Sequence, residues 1–191
     1  MIKEIFERNR SYRRYYEDKR IDAAELRDII SVNRYLASGA NAQRLRFLPV
    51  YDKSECERVF SCLKWAAFLK DWDGPAEGER PAAYIIIATK DDVTADVGVD
   101  VGISAQAMLS LAVEKGMGGC MLLSFDRERL SSILSLDGYK IRLVIALGYP
   151  KEKVVITDAV NGDTKYYRDE NSVHYVPKLS TDEIIIGRRD V

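Results

Sequence analysis

The sequence predicts an α+β fold in three layers, with a β-sheet covered by helices on both faces. Helical patterns come first and then alternate with strands along the chain, the order of a sheet held between helices rather than of a bundle or a β-sandwich. Two runs, AAYIIIAT (82–89) and KIRLVIALG (140–148), are apolar almost without interruption, as strands buried on both faces are. Between them, residues 96–114 carry Val99, Ile103, Ala107 and Leu111 on one stripe and Ala105, Met108 and Ala112 on another, which predicts a central, mostly buried helix.

The remaining elements follow in order. Residues 2–8 read as a short helix running into a basic stretch. A second helix starts at Asp22, where Asp22 and Glu25 form a D-x-x-E capping box and Ile21 and Leu26 stand as a hydrophobic staple. Its apolar stripe is Leu26, Ile29, Ile30 and Leu36, and Gly39 is expected to end it. FLPVYD (47–52) reads as a strand that Pro49 assigns to an edge or a bulge. SECERVFSCL (54–63) predicts a helix with Ser54 as N-cap and Glu57 at the box position, and residues 65–81 a turn-rich surface excursion. Gly116, Gly118 and Gly119 close the central helix, CMLLS (120–124) follows as a strand, and Asp126 caps another helix. Gly148 and Pro150 stop the last interior strand. The polar tail, 151–191, predicts a strand pair around Asn161-Gly162 and, lacking a core of its own, is expected to wrap a second subunit.

Composition excludes several classes. With 191 residues, 47% hydrophobic, the chain has material for one core, and a single domain over 1–191 is expected. The opening MIKEIFERNR has no apolar core region, and no run is long enough to span a bilayer. No membrane partner is therefore expected. Cys56, Cys62 and Cys120 are odd in number, form no C-x-x-C, and have only His174 for company. A reduced, cytoplasmic protein without a metal site is expected. A formal net charge of −1 argues against a surface built for nucleic acid.

Against that balance, RNRSYRRYYEDKR (8–20) concentrates six cations and three tyrosines in thirteen positions. Arg10 and Arg13, with Ser11 between them, offer two guanidinium forks, a hydroxyl and backbone N–H groups to a small anion. The same residues would equally serve as a solvated face paired with Glu17 and Asp18. ASGANAQRLRF (37–47) places Ser38, Asn41 and Gln43 between a helix and a strand, suited to binding polar ring edges or simply to making the turn. GMGGCMLLS (116–124) is not a dinucleotide fingerprint, because its glycines precede the strand.

Taken in order, RSYRRY (10–15), ASGANAQ (37–43), DVGISAQAMLSLAVEKGMGGCMLL (100–123) and VIALGYP (144–150) resemble the FMN-dependent nitroreductase family over about residues 5–150. The resemblance implies a three-layer α/β/α nitroreductase-like fold with a central mixed sheet in an interlocked homodimer. It implies FMN as cofactor, NADH or NADPH as reductant and a small-molecule electron acceptor. Arg10 and Ser11 would then serve the FMN phosphate end, and Tyr12 is a further cofactor-binding candidate. Arg13 would lie near N1 and O2 of the ring, where charge accumulates on reduction, so that a fixed cation raises the potential. Ser38, Asn41 and Gln43 would reach the flavin of the partner subunit, and Leu122, Leu123 and Ser124 would run beside the ring. His174 and Lys178 are the tail's candidates for the phosphate. The protein supplies no catalytic side chain in this scheme, the chemistry being carried by FMN. The chain departs from the family at Asn9, often basic in relatives, and at Arg44-Leu45, where relatives have Pro-Trp.

The implied activity is reduction of nitroaromatic or quinone-type acceptors by a ping-pong mechanism. Two alternatives stay open from sequence. One is a specialist of the same fold, dehalogenating, flavin-fragmenting or flavin-storing. The other is a non-enzymatic module whose Arg/Tyr stretch binds a polyanion.

Overall fold

A computed structural model describes residues 2–69 and 71–187. The chain forms two compact units: the first comprises the chain up to Trp65 with Gly74–Lys151, and the second Ala66–Asp73 with the chain from Glu152 onward.

In the first unit, helices α1 (Ile2–Arg8) and α2 (Ala23–Ser31) lead to β1 (Leu45–Val50), α3 (Lys53–Phe60), β2 (Ala83–Lys90), α4 (Gly98–Glu114), β3 (Gly118–Leu122), α5 (Arg127–Ile133) and β4 (Tyr139–Gly148). The sheet runs β1-β2-β4-β3, and every neighbouring pair is antiparallel. Among the described residues the parallel member of this sheet is an isolated bridge, Ser11 to Gly119, on the outer side of β3. The interior strands are apolar over Ala83–Ala88 of β2 and Leu143–Gly148 of β4, where both faces are covered. On one face Ile85, Ile87, Leu143, Ile145 and Leu147 pack with Leu26 and Ile29 of α2 and Ala105, Met108 and Ala112 of α4. Tyr84, Ile86, Val144 and Ala146 alternate with them along the strands and are also buried, on the side of α3 and α5, whose Cys56, Val59 and Leu130 are buried in turn. These are the three layers.

Local signals account for most boundaries. Asp22 and Glu25 close the capping box on α2, with Ile21 and Leu26 both buried beneath it. That helix tightens into a 3₁₀ turn at Val32–Tyr35 before reaching Leu36, and Gly39 instead opens a second 3₁₀ turn, Gly39–Asn41. α3 starts earlier than expected. Its cap is Asp52, which accepts from Glu55 N–H, while Ser54 donates its hydroxyl to the same carboxylate. β1 is an edge strand, as Pro49 implied. On α4 the Ala105–Met108–Ala112 stripe is buried, but the other stripe faces outward, with Val99 75% and Ile103 36% exposed. Gly116, at φ 79°, supplies the left-handed residue that ends α4. β3 begins at Gly118, two residues before the expected start.

The second unit holds β5 (Val154–Asp158), β6 (Tyr167–Arg168), β7 (His174–Lys178) and the short α6 (Thr181–Ile184). Here the expected hairpin is corrected: Asn161 and Gly162 do form a left-handed turn, closed by the Val160–Asp163 bridge, but the main partner of β5 is β7, in parallel. This unit has its own packing, with Tyr166 against Phe68 and His174, and Arg168 over Trp72 while paired to the buried Glu152 at 3.0 Å. Among the described residues no helix is long and apolar enough to cross a membrane, and no group of three potential metal ligands comes together.

Candidate functional site

Segment 8–20 lies along the outer edge of β3 and the end of β4. Tyr12 N–H donates to Gly119 O at 3.0 Å, Tyr16 N–H to Tyr149 O at 2.9 Å, and Lys151 N–H to Arg14 O at 2.9 Å. Two tyrosines pin it to glycines. The Tyr12 ring sits against Gly118 and the fully buried Tyr15 ring against Gly148.

Most of its cations have structural partners. Arg8 donates to Val113 O at 3.2 Å, satisfying a carbonyl at the end of α4. Arg14 grips Glu79 through two nitrogens, and Lys151 joins at 3.1 Å. The Arg14 guanidinium is the main reason the Glu79 carboxyl is held down to about 2. Lys19 lies 4.7 Å from the Tyr16 ring centre, and Arg20 donates to Tyr51 O. Arg10 and Arg13 bond to nearby backbone: Arg10 donates to Phe6 O in α1 and Arg13 to Ser11 O. Arg10 Nε and the neighbouring Asn9 Nδ2 are buried and have no hydrogen-bond partner among the described residues. Such donors could serve a small anion.

Leu122 is the last residue of β3, and Leu123 and Ser124, expected to extend the strand, follow it outside the sheet. Leu122 is buried, Leu123 is exposed, and Ser124 O accepts from Lys64 N–H at 3.0 Å.

The loop between α2 and β1 is organised by a residue to which the sequence assigned no role. Asp100, in the first turn of α4, accepts from Ser38 Oγ at 2.9 Å and from Gly39 N–H at 3.0 Å. The Gly39 N–H and then the Ser38 hydroxyl hold its carboxyl below the usual range. Ser38 Oγ in turn accepts from Gln43 N–H at 3.0 Å, and Gln43 Nε2 donates to Asn41 Oδ1 at 3.1 Å. Ala40, Asn41 and Gln43 all have positive φ, near 50°. With Asn33, Arg34, Arg46 and Phe47 the loop borders a cleft of about 610 Å³.

The two groups do not converge within the chain. The Ser11 bridge lies outside β3 and the loop enters β1, at opposite edges of the sheet. Strand spacings of about 4.8 Å and rises of about 3.3 Å per residue put them roughly 25 Å apart. His174 and Lys178 belong to the second unit: His174 is 1% exposed with its ring 5.2 Å from that of Tyr166, whereas Lys178 is exposed at the end of β7.

A family model described as the nitroreductase family matches residues 7–149, from the basic segment to the residue after β4. The chain belongs to the nitroreductase family. Its α+β architecture is that of solved nitroreductase-fold structures. A nitroreductase family protein from Streptococcus pneumoniae TIGR4 matches with a TM-score of 0.70 at 16% identity, covering 98% of this chain and 100% of that one. An FMN-dependent nitroreductase from Clostridium difficile R20291 gives 0.62 at 22% identity over 83% and 91% of the two chains. Nitroreductase A from Vibrio parahaemolyticus RIMD 2210633 gives 0.62 at 21% identity over 85% of this nitroreductase-family chain and 72% of its own. No curated protein sequence matches this nitroreductase-family member.

Proposed function

We propose that the protein is an FMN-dependent oxidoreductase working as a homodimer, drawing electrons from NADH or NADPH and passing them to nitroaromatic or quinone-type acceptors by a ping-pong mechanism. The observation that carries this is the separation of the two donor groups: Arg10–Arg13 at one sheet edge and Asn41 and Gln43 at the other form one site only if a second copy supplies the loop. An apolar groove supports that reading. Ile2, Ile5, Phe6, Ile103, Ala107 and Leu111 line an apolar groove of about 490 Å³ between α1 and α4, beside the exposed Val99, and exposed apolar surface of this kind suits an interface. The three free thiols suit a reducing cytoplasm.

The residues fit the cofactor. Asn9 and Arg10, with their unpartnered buried donors, and the exposed Ser11 would hold its phosphate end. Arg13 would place a fixed positive charge beside the pyrimidine edge, and the backbone of Leu122–Ser124 would lie along the ring. When bound, FMN supplies hydride acceptance from the nicotinamide and electron delivery to the acceptor. Tyr12 and Tyr15 keep the segment fixed against the sheet, so the charge is preorganised.

The test is the visible spectrum of the purified protein before and after anaerobic NADH and NADPH. Flavin bands that bleach, and recover on adding a nitroaromatic or quinone, support the proposal. A protein that stays colourless after incubation with FMN overturns it.

A further inference from the structure

We propose that Asp100 is the positioning residue of the flavin-contacting loop, fixing Asn41 and Gln43 for their ligand through Ser38; this rests on the flavoprotein reading above. Both carboxylate oxygens are engaged, Oδ2 by the Ser38 hydroxyl and Oδ1 by Gly39 N–H. Ser38 relays the restraint by accepting from Gln43 N–H, so one carboxylate closes a hydrogen-bonded ring across residues 38–43. The ring is needed because the loop holds three side-chain-bearing residues, Ala40, Asn41 and Gln43, in the left-handed region, a conformation that surrounding contacts must impose. Arg46 adds a bond to Gln43 O at 2.9 Å from the β1 side. That bond ties the loop to β1, and Asp100 ties it to α4.

The arrangement reassigns Ser38. Its single proton goes to Asp100, so the hydroxyl donates nothing to a ligand and acts as a linchpin of the loop. Asn41 and Gln43 bond to each other through Gln43 Nε2 and Asn41 Oδ1. That pairing leaves Asn41 Nδ2 and Gln43 Oε1 as an adjacent donor and acceptor, suited to a heterocycle edge that presents both. Asp100 also lies beside Val99 on α4, so the helix that carries the proposed dimer face also carries the loop's anchor.

The experiment compares the full-length chain with Asp100→Asn, Ser38→Ala and the double variant. Backbone amide exchange is read without cofactor, and FMN affinity by fluorescence quenching. Asn at position 100 keeps the volume but replaces one acceptor oxygen with a donor. The expected result is faster exchange confined to residues 38–43 and roughly tenfold weaker FMN binding for each single variant, with the double variant no worse than either, because both act through one ring. Additive losses, or an effect spread over α4 and the sheet, overturn the positioning role in favour of general destabilisation. Unchanged exchange overturns the clamp itself. Faster exchange with unchanged FMN affinity overturns the link to the ligand and leaves the flavoprotein reading standing. An unaltered chain that takes up no FMN overturns that reading and the role of Asp100 with it.

Discussion

The ring of Tyr12 occupies the space that a side chain at Gly118 would need: a Cβ there would lie 2.4 Å from Tyr12 Cδ2 and 2.8 Å from Pro150 Cγ. Gly118→Ala should therefore push the basic segment off the edge of β3. Overpacking of this kind costs about 1–3 kcal/mol. The expected outcome is a lowered thermal midpoint together with weaker FMN binding, checked by calorimetry and fluorescence titration.

Arg10 and Arg13 should separate affinity from potential. Arg13→Ala is expected to weaken FMN binding and to make the flavin midpoint more negative, by about 30 mV for each tenfold loss of preference for the two-electron-reduced form. Arg10→Ala should weaken binding with little change in potential, because Arg10 is assigned to the phosphate end and not to the ring. Reductive titration against a reference dye checks both.

The groove between α1 and α4 should carry the dimer. Ile103→Glu puts a carboxylate into a face that would be buried, a cost of several kcal/mol per ion. Sedimentation velocity should show monomers at micromolar concentration. The monomer should also lose FMN, because the loop from the second copy is gone.

Acid should loosen the segment through Glu79. Its carboxyl titrates at about 2 in the folded protein against an ordinary value of 4.5, so the stability it contributes is present above 4.5 and is lost as pH falls toward 2. Glu79→Gln should lower stability at pH 7 by about 2 kcal/mol, typical of charged hydrogen bonds. It should also flatten the acid dependence, as urea unfolding at pH 3, 5 and 7 would show.

The elements most legible in the sequence were those with one dominant local signal. The Asp22–Glu25 box, the Asp126 cap and the uninterrupted run 82–89 each admit one structure. Where two signals competed, the sequence misled. Asp52–Glu55 and Ser54–Glu57 both fit a capping pattern, and the earlier acid won, taking the serine hydroxyl as a donor. On α4 two apolar stripes fit a helix, and nothing in the spacing separates a core face from a face left for another molecule.

The candidate site was legible as chemistry but not as geometry. The cations of segment 8–20 stood out, yet only in the folded chain do Arg8 and Arg14 meet Val113 and Glu79. Asp100 was invisible because it lies 62 positions from Ser38. A pairing across that distance leaves no periodicity to read. His174 illustrates the reverse, a residue notable for being the lone histidine that proves to be buried against Tyr166.

Pro49 has a consequence for solubility. An edge strand offers a row of unpaired backbone groups to any passing extended chain. In this sheet the β3 edge is already occupied by Ser11 and Tyr12, which leaves β1 as the other border. Proline next to the end of β1 has no N–H to offer, so the border cannot be templated along its full length by another strand. Replacing it with valine would restore that row and create a site for runaway strand addition, a hazard that one imino acid holds off while the rest of the sheet stays rich in β-branched residues.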